Sequence, residues 1–172
     1  MTKSISLVGL MGSGKSTLSN LLSAKLGCSV MDTDDWIERH AGLPIHEIVS
    51  TFGWDYFRNL EREFCQKYNI ESPLIIATGG GFVVREENFK WLTDWSTTVY
   101  LHISPEFALH RTNKSQQSRP LLDALTLNQR LALLEELYTE RHPIYNRSNF
   151  TLNAELPQDE VLAQLVKIAS ET

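Results

Sequence analysis

The side chains with the clearest chemical potential lie in GLMGSGKST, residues 9–17, which fits the spacing G-x-x-x-x-G-K-[ST]. An apolar run precedes this stretch and leucines at helical spacing follow it, which predicts a strand before the glycines and a helix after them. In that context backbone N–H groups surround phosphate oxygens, and the helix N-terminus adds positive charge. Lys15 supplies a charge for the β- and γ-phosphates, and Ser16 offers a hydroxyl to Mg²⁺. The residues predicted to contact a nucleoside triphosphate are Gly12, Ser13, Gly14, Lys15, Ser16 and Thr17.

Two carboxylates follow the second predicted strand, in the sequence Asp32, Thr33, Asp34. Residues i and i+2 of an extended chain point to the same side, so we expect both carboxylates to face one space beside the glycine loop. One carboxylate could hold a water molecule on Mg²⁺, and the other could accept the proton of an attacking hydroxyl. The alternative is a helix-capping string in which Thr33 or Asp34 is the N-cap.

Three consecutive glycines, Gly79 to Gly81, follow the third predicted strand. They expose backbone N–H groups and permit another molecule to approach closely, although a turn without a ligand would use the same residues. Because ligands gather beyond the carboxyl ends of parallel strands, the glycine loop, the two aspartates and this triplet are predicted to surround one crevice.

Strands and helices alternate along the rest of the chain, which predicts a parallel sheet covered by helices on both faces. The predicted strands are Ser4–Val8, 28–32, 74–78, 97–103 and Phe150–Asn153. The predicted helices are 18–26, 36–40, 44–52, 55–68, 86–95, 105–111, 127–141 and 159–169. We expect Gly27 and Gly53 to end helices, and Pro143 to stop the helix that begins at Leu127.

Composition narrows the class of protein. The chain has 172 residues, which suits one domain, and a net charge of −5 without a basic run, which argues against a nucleic-acid surface. Two distant cysteines favour neither a disulfide framework nor a metal site. No apolar stretch reaches membrane-spanning length and the first strand begins almost at once, so we expect a cytoplasmic protein without a signal peptide.

Single arginines and histidines carry less information. Arg58 lies in FRNLE, three residues before Glu61, and on a helix the two could form a plain surface pair. Arg119 lies in SRPLL and Arg141 in RHPIY, and an isolated arginine is most often a solvated charge. The five histidines have no motif partners, so we interpret them as structural or surface residues.

Taken in order, the segments GLMGSGKST, DTD, FRNLE, ATGGG, RPLL and RHPIY resemble the shikimate kinase family from about residue 5 to residue 170. The resemblance implies an α/β, three-layer P-loop NTPase fold whose five-stranded parallel sheet has the order 2-3-1-4-5. It further implies a single kinase domain with a mobile lid at about 113–125 and a substrate-binding helical region at about 33–62. The expected reaction transfers the γ-phosphoryl of ATP to the 3-hydroxyl of shikimate with Mg²⁺, in a protein expected to be monomeric.

The resemblance also assigns roles to particular residues. Asp32 would assist Mg²⁺ through water together with Ser16, and Asp34 would bind the shikimate hydroxyls and act as base. The residues implied to hold shikimate are Asp34, Arg58, Gly80, Gly81 and Arg141, with Glu61 fixing Arg58 from behind. Arg119 would reach the phosphates from the lid, joining Asp34 and Lys15 as a catalytic residue, and Arg111 would pack near adenine.

One departure and two rival functions accompany this resemblance. Many relatives carry an arginine beside adenine in the loop after the fifth strand, but here that loop, 153–157, reads NAELP. A gluconate-type kinase would share the glycine loop and the lid, and would differ around FRNLE and TGGG. A GTPase-like switch would use NKSQ, 113–116, which lacks the aspartate that pairs with guanine.

Overall fold

The computed structural model describes residues 3–68, 72–114 and 121–172. Five parallel strands form one sheet in the order β2-β3-β1-β4-β5, which confirms the predicted order. The strands are β1 Ser4–Val8, β2 Ser29–Asp32, β3 Leu74–Ala77, β4 Ser96–His102 and β5 Phe150–Asn153. The helices are α1 Lys15–Leu26, α2 Thr33–Ala41, α3 Ile45–Lys67, α4 Glu86–Trp95, α5 Pro105–Lys114, α6 Leu127–Tyr145 and α7 Gln158–Glu171, with a 3₁₀ turn at Phe82–Val84.

Helices cover both faces of the sheet, because its central strands are apolar on both sides. Ile5 and Leu7 of β1 lie in a core formed with α1, α5, α6 and α7. Val8 lies in a second core on the opposite face, formed mainly with α3, α4 and the end of α6. A smaller apolar cluster joins α2 to α3 and includes Ile37 and Phe57.

The strand order explains why the three predicted segments meet. β2, β3 and β1 are neighbours in register, with Asp32 beside Ala77 and Ala77 beside Leu7. The loops that follow these strands therefore leave the same edge of the sheet side by side. They carry the aspartates, the glycine triplet and the glycine loop, respectively.

Several predicted boundaries were wrong. α6 continues through Pro143 to Tyr145, because a proline near the end of a helix removes one backbone bond while Tyr145 gains complete burial. The predicted break at Gly53 is confirmed: its φ of 82° and ψ of 170° are non-helical, and α3 consists of two helical segments that meet there at a kink. α5 extends to Lys114, so residues 113 and 114 of the predicted lid are helical, while 115–120 lie outside the described residues.

Candidate active site

The glycine loop between β1 and α1 closes around its own lysine. Lys15 is buried, and its Nζ donates to the carbonyl oxygens of Gly9 and Leu10 at 2.9 and 3.0 Å. Gly9 has a φ of 145°, and a Cβ at this position would lie 2.7 Å from the backbone oxygen of Leu101, so no larger residue fits there. The sequence thus folds the loop tightly, with an ammonium group at its centre and α1 beginning at Lys15.

The two aspartates line one cavity beside the glycine loop, as expected, but not on an extended chain. The chain does not remain extended after β2, because α2 begins at Thr33 and Asp32 is its N-cap, with Oδ1 accepting from the N–H of Asp34. The capping alternative therefore describes the backbone correctly, although it assigned the wrong residue. The other carboxylate oxygen of Asp32 accepts a 2.9 Å hydrogen bond from Ser16 Oγ, so these two side chains meet at the mouth of the loop.

Asp34 lies deeper in the site. Its Oδ1 is buried without a hydrogen-bond partner among the described residues, and a Cβ added to Gly79 would lie 2.6 Å from that oxygen. Burial, reinforced by the negative charges of Asp32 and Glu61, raises the pKa of Asp34 to about 7. A carboxyl group with a pKa near neutrality can both hold and release a proton at working pH, which is the property of a general base.

Hydrogen bonds from two distant elements hold the glycine triplet. The N–H of Gly79 donates to Thr33 Oγ1 at 3.0 Å, and Tyr145 of α6 donates its phenol proton to the carbonyl oxygen of Gly80. Thr33 and Tyr145 are both fully buried. Sequence reasoning missed both residues, although Thr33 stands between the two aspartates and Tyr145 ends the RHPIY segment that it singled out.

Arg58 and Glu61 form a buried ion pair, so the surface-pair alternative is wrong. One nitrogen of Arg58, Nη1, donates to both carboxylate oxygens of Glu61 at 2.7 and 2.8 Å, and the Glu61 side chain is completely buried. Nη2 lies against Gly81, where a Cβ would come within 2.2 Å of it. Trp54 and Phe57 flank the guanidinium, with ring centroids 5.6 and 5.4 Å from Cζ. Glu61, the rings and Gly81 thus hold the arginine in one orientation.

Arg141 approaches the same place from α6. It is 6% exposed, and its Nε has no hydrogen-bond partner among the described residues. A Cβ on Gly80 would lie 3.8 Å from Arg141 Nη1, which places this guanidinium beside the triplet. A buried, incompletely paired cation is costly, and it becomes favourable when an anion occupies the adjoining space.

Arg111 of α5 connects the glycine loop to the loop after β5. Its guanidinium donates to the carbonyl oxygens of Gly12, Ser13 and Ala154 at 3.4, 3.3 and 3.0 Å. It also lies over the ring of Phe107, with Cζ 4.6 Å from the centroid. Burial lowers the pKa of Arg111. This arginine thus joins the glycine loop to the loop after β5. Its contact with adenine stays a prediction.

Two cavities occupy the site and share a wall. One, of about 410 Å³, extends from the glycine loop along Arg111 to Ala154 and Leu156. The other, of about 340 Å³, lies between α2, α3 and α6 and is lined by Arg58 and Arg141. We call this second cavity the acceptor cavity. The residues that line both cavities are Met11, Asp34, Gly79 and Gly80. A donor in the first cavity and an acceptor in the second would therefore meet beside Asp34.

The predicted site residues that the structure describes line the two cavities, except Ser13, which is fully buried within the glycine loop. Arg119 lies outside the described residues. The acceptor cavity also contains residues that sequence reasoning did not single out for the site, namely Met11, Asp35, Glu38, Ile45, His46, Trp54, Phe57 and Leu121. The apolar spacing on α3 could have indicated Phe57, but it could not distinguish a cavity wall from a core position. Among the other histidines, His102 and His142 lie in a cluster with Tyr100 and Tyr138 and line neither cavity.

A parallel sheet in the order 2-3-1-4-5, a closed glycine loop and an adjoining second cavity define a P-loop kinase. A family model described as shikimate kinase matches residues 11–170. The chain belongs to the shikimate kinase family.

Individual relatives agree over nearly the whole chain. The chain is 36% identical over 166 residues to the shikimate kinase of Thermodesulfovibrio yellowstonii, covering 96% of this chain and 94% of the relative. It is 37% identical over 164 residues to that of Neisseria meningitidis serogroup C, covering 95% and 94%. Among solved structures, the shikimate kinase from Acinetobacter baumannii in complex with shikimate superposes with a TM-score of 0.88 at 31% identity, covering 100% of this chain and 96% of that one.

More distant structures share the fold alone. A gluconokinase from Sinorhizobium meliloti superposes with a TM-score of 0.57 at 16% identity, covering 98% of this chain and 96% of that one. Within residues 3–68, 72–114 and 121–172, no helix is long and apolar enough to cross a membrane.

Proposed function

We propose that this protein transfers the γ-phosphoryl group of ATP to the 3-hydroxyl of shikimate, giving shikimate 3-phosphate and ADP. The observation that carries this proposal is the shared wall between the two cavities, which places Asp34 between a phosphate site and a cavity with two arginines. Phosphoryl transfer depends mainly on alignment and charge neutralisation, and two adjoining sites provide the alignment. The alternative gluconate-type kinase shares the fold with this chain but little sequence.

The residues at the mouth of the glycine loop fit Mg²⁺. Ser16 and Asp32 bring a hydroxyl and a carboxylate oxygen together there, and hard oxygen donors are the ligands that Mg²⁺ prefers. Mg²⁺ usually takes one or two protein oxygens and keeps waters and substrate phosphates as its other ligands. When bound, it neutralises charge that develops on the transferred phosphoryl group. We assign Ser16 to direct contact with the ion and Asp32 to contact through water.

Asp34 and Lys15 divide the chemical work in this proposal. The shikimate hydroxyl would donate to Asp34, whose buried oxygen has no other partner among the described residues and can take the proton as the oxygen attacks phosphorus. Lys15 would leave its bonds to the loop carbonyls and follow the β- and γ-phosphates, which offer stronger, charged acceptors. The catalytic role of Arg119 in the lid stays a prediction, as do the lid at 113–125, the monomeric state and the cytoplasmic location.

The two arginines at the far end of the acceptor cavity suit a carboxylate. Arg58 is fixed by Glu61. Arg141 arrives from another helix, and its Nε makes no hydrogen bond among the described residues, with only the exposed Glu140 carboxylate 3.9 Å away. Shikimate carries its carboxylate on the side of the ring opposite its hydroxyls. A ligand with its hydroxyls at Asp34 and its carboxylate between the arginines would satisfy both ends of the cavity.

A coupled assay of ADP release tests the proposal. We expect rapid release with ATP, Mg²⁺ and shikimate, and release at a low background rate with gluconate or without an acceptor. Equal stimulation by gluconate would favour the alternative kinase. ATP hydrolysis that does not respond to any acceptor would contradict a kinase function.

Asp34→Asn should separate catalysis from stability. The amide keeps shape and hydrogen bonding but cannot accept a proton, so we expect kcat to fall about 10²-fold, a size typical of general-base catalysis. Since the carboxylate must be ionised to act, wild-type kcat/KM should rise with pH to a plateau above about 7, the value to which burial raises the pKa of Asp34. The variant should lose this dependence. A small change in kcat would make Asp34 a positioning residue without contradicting the kinase function.

Whereas kcat should fall in Asp34→Asn, the free energy of unfolding of the same variant should rise. Because the pKa of Asp34 is raised in the folded protein, its carboxyl stabilises folding fully only below about pH 4, and this contribution is lost as the pH rises towards 7. At pH 8 the ligand-free Asp34→Asn variant should be more stable than wild type by roughly 1–3 kcal/mol. Thermal melts at pH 5 and pH 8 would measure this, with a smaller advantage expected at pH 5. An advantage that does not grow with pH would contradict the buried-carboxylate interpretation.

A further inference from the structure

The glycine triplet contributes three carbonyl groups beside a cavity that contains two arginines. Each carbonyl already accepts a hydrogen bond. Those of Gly79 and Gly81 accept from the N–H groups of Phe82 and Val84 at 3.1 Å, within the triplet's own 3₁₀ turn. The carbonyl of Gly80 instead depends on the phenol of Tyr145, a side chain 65 residues further along the chain. Its orientation is therefore set by tertiary structure.

Gly80 has no side chain that would restrict rotation of its peptide group. A Cβ added to Gly80 would meet no atom closer than 3.5 Å, whereas a Cβ on Gly79 or Gly81 would clash with a side chain. A peptide group next to a glycine rotates at low cost because no Cβ restricts it. Without the hydrogen bond from Tyr145, the carbonyl oxygen of Gly80 could turn towards the cavity. Its partial negative charge would then repel an anionic ligand there.

The phenol of Tyr145 remains a hydrogen-bond donor to the Gly80 carbonyl at working pH. The side chain is fully buried, and burial raises the pKa of its phenol to about 12, so it keeps its proton at working pH. Arg141, one helical turn earlier on α6, lies near enough for its charge to act on the same phenol. A Cβ on Gly80 would lie 3.8 Å from Arg141 Nη1, so the phenol and the guanidinium both adjoin Gly80.

We propose that Tyr145 is a positioning residue for the acceptor: it holds the Gly80 carbonyl away from the cavity and keeps Arg141 in register with the triplet. The proposal rests on the proposed function, since it concerns the anionic end of the acceptor. The continuation of α6 past Pro143 to Tyr145 places the phenol at the Gly80 carbonyl.

Tyr145→Phe removes the phenol oxygen and keeps the ring that fills the core. Losing this bond leaves a buried carbonyl without its donor, and we expect the KM for shikimate to rise roughly tenfold. The change in kcat should be smaller, and the Kd for ADP should stay within about twofold, because Arg141 lines only the acceptor cavity and the glycine loop holds the nucleotide side. A shikimate titration at 10 °C would measure the same loss in binding under conditions where a destabilised variant remains folded.

Tyr100→Phe is the matched control. Tyr100 is also a buried tyrosine, and its hydroxyl bonds His142 of α6 at 3.1 Å. His142 lines neither cavity, whereas Gly80, the partner of Tyr145, lines both. This variant should lose a comparable hydrogen bond while its shikimate KM stays within about twofold of wild type.

The possible outcomes separate the two proposals. If Tyr145→Phe matches Tyr100→Phe in shikimate KM and Kd, or if it weakens ADP as much as shikimate, Tyr145 has a general structural role and the inference is overturned. If wild type shows no shikimate-dependent ADP release, the proposed function fails, and the inference fails with it. A selective loss of shikimate binding in an active enzyme supports both.

Discussion

Lys15→Met should reduce phosphoryl transfer by roughly 10³-fold or more, because removing a preorganised charge from the transferring group raises the barrier by several kcal/mol. Methionine keeps the aliphatic stem and loses the ammonium group that lies at the centre of the loop. The Kd for ATP should also rise, since the β- and γ-phosphates lose a cation. Steady-state rates at saturating shikimate and a direct ATP titration would measure both effects.

The structure adds a stability cost to this variant. The ammonium donates to the Gly9 and Leu10 carbonyls in the ligand-free protein, and hydrogen bonds of charged groups contribute about 1.5–3 kcal/mol each after exchange with water. The melting temperature should therefore fall moderately, and rates are best compared well below it. Lys25→Met makes the same chemical change at an exposed position of α1 and should leave turnover unaltered. Near-normal turnover in Lys15→Met would contradict the phosphate-site assignment.

Arg58→Ala should reduce kcat/KM for shikimate by about 30- to several-thousand-fold, which corresponds to a loss of roughly 2–5 kcal/mol. The substrate carboxylate would retain one arginine in place of two, inside a partly enclosed cavity. Arg58→Lys should recover little of the loss, because a single ammonium cannot contact both Glu61 and the ligand as a planar guanidinium does. The Kd for ADP should change little, since Arg58 lines only the acceptor cavity.

The buried carboxylate of Glu61 determines how this experiment must be controlled. Without Arg58 its buried carboxylate loses its main partner, so the variant should be less stable than wild type and should be assayed at low temperature. Arg62→Ala removes an exposed arginine from the same helix and should change neither stability nor kinetics appreciably. If shikimate kinetics in Arg58→Ala stay within about threefold of wild type, the arginine pair does not bind the carboxylate.

Local sequence patterns were sufficient for much of the fold. Short apolar runs predicted the five strands, and apolar residues at helical spacing predicted most of the helices. The order of the strands came from the family resemblance, and the structure confirmed it. Boundaries failed where distant contacts outweighed local preference, as at Pro143, where burial of Tyr145 extends α6 by a turn.

For the candidate site, too, the sequence determined one part and the tertiary structure decided the other. The sequence by itself determined which residues could bind phosphate, because the glycine loop is built from contiguous residues whose spacing fixes their geometry. Only the tertiary structure decided how distant segments combine: Tyr145 meets Gly80 across the site, and Arg58 lies flat against Gly81. It also decided the chemistry of Asp34, because its pKa depends on burial and on neighbouring charges. Neither quantity can be read from the order of residues in the sequence.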